Sequence, residues 1–207
     1  MKYAVTVIRI LFLAIFLFLL AGGKVVLWRA LFGVSLLVAL FFGRVYCGYV
    51  CPMNTLMLPA EWLSKKLKIQ TPHTPKWLKN GYFGWIALVL SVGAMLLSKR
   101  LLGFDLPVLP LWVAVAALVT LRYKPEVFHN LICPFGTLQK AFGRFAKYSQ
   151  RVNKDACIGC KLCEKVCPSR AIAVSEGDQK AEIDTALCHQ CTNCREVCPK
   201  DAIRYRG

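Results

Sequence analysis

Apolar and polar positions divide the chain into two regimes. The first holds four long apolar stretches, at about Tyr3–Leu20, Val25–Phe42, Gly81–Leu97 and Leu106–Leu121. Each is near the length an α-helix needs to cross the hydrocarbon core of a bilayer. The last is short. Pro107 and Pro110 stand at its start, where proline does little harm to a helix, and Asp105 is expected there at the headgroup level. Read as buried helices of a soluble core, these stretches would need more covering chain than 207 residues supply. The N-terminal run follows Met1-Lys2 as a signal peptide would, but it is longer than a usual signal core and Ala21-Gly22-Gly23 only loosely resembles a cleavage site. It is read as the first span. From about Asp155 onward the long apolar runs stop.

Composition changes the picture in two ways. A hydrophobic fraction of 57% is too large for an ordinary soluble protein, and the formal net charge is +16. Residues 155–207 carry eight Lys/Arg against eight Asp/Glu, so the whole excess lies on the apolar part. Basic charge beside long apolar runs marks membrane flanks facing anionic headgroups, and it argues against a nucleic-acid binder, whose basic residues lie on a water-soluble face. Lys2, Arg44, Lys65, Lys66, Lys68, Lys76, Lys79, Arg122, Lys124, Lys140, Arg144, Lys147, Arg151 and Lys154 fall on the side of the N-terminus and of the two loops that follow spans two and four. Only Lys24, Arg29, Lys99 and Arg100 fall on the other. This bias predicts a multi-pass protein of a prokaryotic cytoplasmic (inner) membrane with both termini in the cytoplasm. Arg9, inside the first span, is expected to snorkel to the near interface.

The second regime is a cysteine repeat. Cys157-x-x-Cys160-x-x-Cys163-x-x-x-Cys167-Pro168 recurs 31 residues later as Cys188-x-x-Cys191-x-x-Cys194-x-x-x-Cys198-Pro199. A cubane needs four converging thiolates, and this is the bacterial two-cluster ferredoxin run, in which the fourth cysteine of each run serves the other cluster. The assignment is Cys157, Cys160, Cys163 and Cys198 to one [4Fe-4S] cluster and Cys188, Cys191, Cys194 and Cys167 to its neighbour. Structural zinc sites usually pair two short Cys-x-x-Cys units across a longer gap, and nothing else marks a small disulfide-bonded secreted scaffold. His189, inside the second run, is expected to tune or solvate its cluster.

A second repeat lies in the apolar part. Val45 to Leu56, containing Cys47-x-x-x-Cys51-Pro52, aligns 82 residues on with Val127 to Leu138, containing His129-x-x-x-Cys133-Pro134. Each copy follows the second helix of a hairpin, which predicts two hairpins in parallel orientation about a pseudo-twofold axis. On an α-helix the four-residue spacing puts each pair on one face, so Cys47, Cys51, His129 and Cys133 are candidate ligands of an iron–sulfur or metal site at the membrane interface. Arg44 is a candidate for positive charge there. The proline places each second cysteine at a helix N-terminus, where the dipole favours a thiolate. Free cysteine is also a small hydrophobe buried for packing, and an interfacial histidine is also a proton carrier or a hydrogen-bond donor to a quinone. His73, between Pro72 and Pro75, reads as an ordinary loop residue. Each copy runs into an amphipathic segment read as a helix in the headgroup layer, with Leu56, Leu63 and Leu67 apolar in the first and Leu138, Ala141, Phe142 and Phe145 in the second.

The fold expected is therefore an all-α four-helix transmembrane domain of two pseudo-symmetric hairpins over residues 1–136, an amphipathic interfacial linker helix over 137–154, and an α+β bacterial-type 2[4Fe-4S] ferredoxin domain over 155–207. Cys47-x-x-x-Cys51-Pro52, the second Cys133-Pro134 motif and the ferredoxin run together resemble the membrane-bound polyferredoxin family of NapH, NosR and CcoG types, over essentially the whole chain. One departure is His129, where those relatives usually carry cysteine. The resemblance implies electron transfer between the membrane, through the quinone pool or a redox site there, and other oxidoreductase subunits. No nucleotide-binding glycine loop or catalytic acid–base pair is evident, so the chain reads as an electron-transfer subunit whose partners supply the chemistry. Two further readings are a redox or metal-centre assembly factor using the membrane cysteines as a dithiol or metal site, and a redox-sensing scaffold.

Overall fold

The computed structural model describes residues 2–71, 74–101, 103–104 and 106–207; His73 and Asp105 lie outside them. The chain divides into two compact units, Met1–Cys51 with Gln139–Gly207, and Pro52–Leu138.

In the first unit, α1 (Lys2–Ala21) and α2 (Val25–Phe42) form a hairpin whose outer surface is apolar. Both are long and apolar enough to cross a membrane. Their helical character follows from unbroken apolar runs free of proline, punctuated by glycine where the chain reverses. Aromatic packing orders the inner face: Phe16 meets Trp28 edge-on at 5.2 Å, and Trp28 Nε1 donates to the Tyr46 hydroxyl at 2.9 Å. Arg9 does not snorkel. It is buried, and its Nε donates to the Gly48 carbonyl at 2.7 Å, which gives the buried charged group a hydrogen-bond partner within the protein.

The ferredoxin portion of this unit pairs β1 (Ser149–Val152) with β4 (Ile203–Arg206) and β2 (Ile172–Val174) with β3 (Ala181–Ile183), both antiparallel, with the short helices α8 (Leu162–Val166) and α9 (Asn193–Glu196) packed together. Its core is Cys163, Ile172, Ala181, Cys194 and Ile203. The expected linker helix over 137–154 differs in extent: α7 (Pro134–Gly143) ends at Gly143, and Ser149–Val152 is a strand. Its partner is the last strand of the chain, so local periodicity over 137–154 carries no trace of it. Tyr148 N–H donates to the Phe41 carbonyl at 2.7 Å and its ring stacks on Phe42, which anchors the ferredoxin strands to the end of α2.

In the second unit, α3 (Pro52–Lys66) packs along α5 (Val108–Arg122), and Ser64 Oγ donates to the Leu121 carbonyl at 2.6 Å. The face of α3 so buried carries Met53, Met57 and Ser64, and Leu63, with Leu67 just past the helix end, is exposed on the outer surface. α4 (Phe83–Leu101) is the third helix long and apolar enough to span. The fourth apolar helix, α5, has 15 residues, about 22 Å at 1.5 Å per residue, against a core of roughly 30 Å. Among the described residues, three helices are thus long and apolar enough to span, and α5 is the shorter apolar helix that the sequence also marks as short. A single turn, α6 (Pro125–Val127), follows α5.

Candidate redox centres

The two cysteine runs fold alike because the same backbone is written twice. Lys161 and Thr192, which precede α8 and α9, take left-handed conformations, as do Gly159 and its counterpart Gln190, and Arg170 and its counterpart Asp201. Such conformations bend three cysteines around one centre. At Gly159 a Cβ would lie 2.3 Å from the Gln179 carbonyl oxygen, so glycine is required there. Gln190 tolerates the same geometry and uses its side chain instead: Oε1 accepts the Gln150 N–H at 3.0 Å and Nε2 donates to Ser149 Oγ at 2.8 Å, tying the second run to β1.

Cys157, Cys160, Cys163 and Cys198 line one small cavity with Val152, Ile158 and Leu162. Cys167, Cys188, Cys191 and Cys194 line a second with Ile172, Ile183 and His189. The fourth cysteine of each run therefore lies in the cavity of the other run. Backbone N–H groups point at the sulfurs: Ala171 at Cys167 Sγ, 3.2 Å, Ala202 at Cys198 Sγ, 3.4 Å, and Ala181 at Cys157 Sγ, 3.5 Å. Donors so placed stabilise sulfur that carries negative charge and tune the potential of a cluster. The cavities differ in depth. Cys160 is exposed and Cys157 half-buried, while Cys188, Cys191 and Cys194 are all buried. Burial pushes the Cys188 and Cys194 thiols up to about 12, and the Cys191 and Cys163 thiols up as well. Thiols so hard to ionise become thiolates when cationic iron supplies the missing charge, which fits four soft ligands round an apolar cavity to an iron–sulfur cluster.

The membrane motifs have a geometry that the spacing did not predict. Tyr46–Val50 and Phe128–Ile132 are both π-helical, and each closes with an i to i+5 bond, Cys51 N–H to Tyr46 O at 2.9 Å and Cys133 N–H to Phe128 O at 2.8 Å. Cys51 and Cys133 are extended, with ψ of 118° and 116°, because the proline after each disfavours the α conformation of the residue before it. The expectation of an α-helical spacing is corrected accordingly: Cys47 and His129 each lie within a five-residue π turn, and Cys51 and Cys133 follow its last residue in extended conformation. Each copy lies in its own unit.

In the first unit Cys47 and Cys51 are buried, and the fully buried Arg44 places Nη2 3.8 Å from Cys47 Sγ. In the second unit His129 is buried with a ring nitrogen 3.2 Å from Asn54 Oδ1, and Cys133 Sγ accepts the Gly136 N–H at 3.3 Å. Asn54→Ala is expected to cost about 1–3 kcal/mol through the lost partner of a buried ring. Thermal unfolding in detergent measures it, and Asn54→Asp should recover part of the loss.

Two residues escaped the sequence reading. Gly48 has His189 against it: a Cβ at 48 would lie 2.0 Å from the His189 carbonyl oxygen. Tyr49 donates its hydroxyl to the Gln190 carbonyl at 2.9 Å. Both join the first π turn to the second cysteine run. Only glycine's place within the repeat hinted at either, since the partners are some 140 residues apart in sequence.

Comparison with known proteins agrees with this chemistry. Residues 25–70 and 105–153 match a 4Fe-4S binding domain, and residues 156–202 match a 4Fe-4S dicluster domain. The first match takes in Cys47, Cys51, His129 and Cys133. Among curated relatives, an uncharacterized protein of Methanocaldococcus jannaschii is 32% identical over 70% of this chain and 60% of its own length. The methylamine utilization ferredoxin-type protein MauN of Paracoccus denitrificans is 30% identical over 68% of this chain and 55% of its own. The ferredoxin-type protein NapH of Haemophilus influenzae is 28% identical over 67% and 52%. The chain spans about half to three-fifths of the length of these relatives. No solved structure matches it.

Proposed function

We propose, from the premise that this chain belongs to the membrane-bound polyferredoxin family of NapH-type ferredoxin proteins, that it is the electron-transfer subunit of a larger oxidoreductase complex. It passes single electrons between a cytoplasmic redox partner and a membrane redox site or the quinone pool. The observation that carries this reading is the seat of the second cysteine cavity: its loop, through His189 and Gln190, rests directly on Gly48 and Tyr49 of the first membrane motif. Cys157, Cys160, Cys163 and Cys198 hold one [4Fe-4S] cluster and Cys188, Cys191, Cys194 and Cys167 the other. When bound, these supply one-electron carriers. The chain's own part is to exclude water, present backbone N–H donors to the sulfurs and fix the approach to the membrane motif.

A further iron–sulfur or metal centre at the membrane motifs belongs to the same proposal, with Cys47 and Cys51 as candidate ligands in one copy and His129 and Cys133 in the other. It rests on the sequence repeat and on the shared π-turn geometry of the two copies. The excess of Lys and Arg on one side supports a cytoplasmic ferredoxin portion with both termini inside. Iron and acid-labile sulfide measured on purified protein test the third centre. More than about eight irons are expected, falling to about eight in Cys47→Ser, since two cubanes hold roughly eight between them. About eight irons in both proteins would remove it. The position of Arg44 beside Cys47 Sγ favours a second reading, a reactive dithiol or metal-handling site as in an assembly factor. Thiol labelling separates the two: a cluster ligand reacts only after iron is lost, and a dithiol reacts on simple reduction.

A further inference from the structure

The two cysteine cavities are not equivalent, and the difference has a direction. The cavity of Cys157, Cys160, Cys163 and Cys198 opens at an exposed rim: Cys160 is exposed, Ile158 is 56% and Leu162 41% accessible, and Lys161 and Lys200 flank them. An apolar centre flanked by Lys161 and Lys200, with the nearby Asp201 engaged by Arg204 at 2.9 Å, is complementary to an acidic protein surface carrying an apolar spot. The cavity of Cys167, Cys188, Cys191 and Cys194 faces the other way. His189 and Gln190 are buried, the His189 carbonyl lies against Gly48, and Tyr49 holds the Gln190 carbonyl. Arg44, beside Cys47, also reaches the Ala186 carbonyl just before this run at 3.5 Å.

We propose that the cavity of Cys157, Cys160, Cys163 and Cys198 is the docking port for an acidic one-electron carrier protein, and that the cavity of Cys167, Cys188, Cys191 and Cys194 is the handover to the Cys47 motif, through the His189–Gly48 contact. This inference rests on the electron-transfer reading above and adds the order of the two centres and the chemistry of the partner. The two roles divide because a carrier in solution needs an exposed edge, while transfer to the membrane motif needs close backbone contact without intervening water.

The order is tested on the full chain in detergent, with the reduced clusters observed by electron paramagnetic resonance and assigned by their loss in Cys160→Ser and in Cys191→Ser. Dysprosium–EDTA, a soluble paramagnetic complex, should enhance the relaxation of the signal lost in Cys160→Ser several-fold more than that of the signal lost in Cys191→Ser. Equal enhancement, or the reverse order, overturns the proposal. The partner class is tested with an acidic plant-type ferredoxin as probe. In this assay one electron passes from the reduced ferredoxin to the oxidised chain, so the first is oxidised and the second reduced, with no bond made or broken. Lys161→Glu with Lys200→Glu should slow this step roughly tenfold or more at low salt, with iron content unchanged, since charge steering is worth about 10 to 10³ in rate. An unchanged rate overturns the docking port. A wild-type preparation that binds no iron would instead overturn the electron-transfer reading itself.

Discussion

Cys167→Ser is expected to abolish the same iron–sulfur signal as Cys191→Ser, and to leave untouched the signal that Cys160→Ser abolishes. The reason is the crossing of the two runs. Cys167 follows Cys163 by four residues, yet it lines the cavity of Cys188, Cys191 and Cys194, and Cys198 lines that of Cys157, Cys160 and Cys163. Each substitution should cost about four irons of roughly eight, because serine is a harder ligand with a far less acidic group than a thiol. Iron analysis together with paramagnetic resonance of the two variants decides it. If Cys167→Ser extinguished the Cys160 signal, each run would close its own cage and the assignment would be wrong. The cross-wiring also predicts a stability effect: every cluster bridges both runs, so losing either one loosens the packing of α8 on α9.

Gly48→Ala is expected to be the most damaging substitution outside the cysteines. A single added methyl would sit 2.0 Å from the His189 carbonyl oxygen, a backbone atom that cannot rotate aside. Relief requires the second cysteine loop to lift from the π turn. That movement breaks the Tyr49 hydroxyl bond to the Gln190 carbonyl and strains the Gln190 bonds to Ser149 and Gln150. Overpacking alone costs about 1–3 kcal/mol, and the broken hydrogen bonds add about 1 kcal/mol each, so a loss of several kcal/mol is expected. Thermal unfolding in detergent and the iron content of the purified variant measure it. Tyr49→Phe, which removes one hydrogen bond and no volume, should cost only about 1 kcal/mol. A Gly48→Ala protein as stable as the parent would show that this contact does not hold the two parts together.

The local rules written into the chain carried much of the fold. Proline after Cys51 and Cys133 ended a helix in each copy, the cysteine runs repeated a loop that the left-handed residues Lys161, Thr192, Arg170 and Asp201 reproduce, and apolar length marked α1, α2 and α4 as spans. α5, read from the sequence as the short stretch with Pro107 and Pro110 at its start, runs from Val108 to Arg122.

By itself the sequence determined the chemistry: eight cysteines at cluster spacing, a repeated Cys/His motif before proline, and basic charge confined to the apolar part, because ligand type, dihedral preference and hydropathy are properties of neighbouring residues. Only the tertiary structure decided that the motif pairs are wound as π turns, that Arg9 caps Gly48, that Ser149–Val152 is a strand closed by the last residues of the chain, and that one cysteine cavity opens to solvent while the other rests on Gly48. Apart from the π turns, those are contacts between residues from 39 to more than 140 positions apart, and their energy depends on which surfaces meet, a quantity no local pattern encodes.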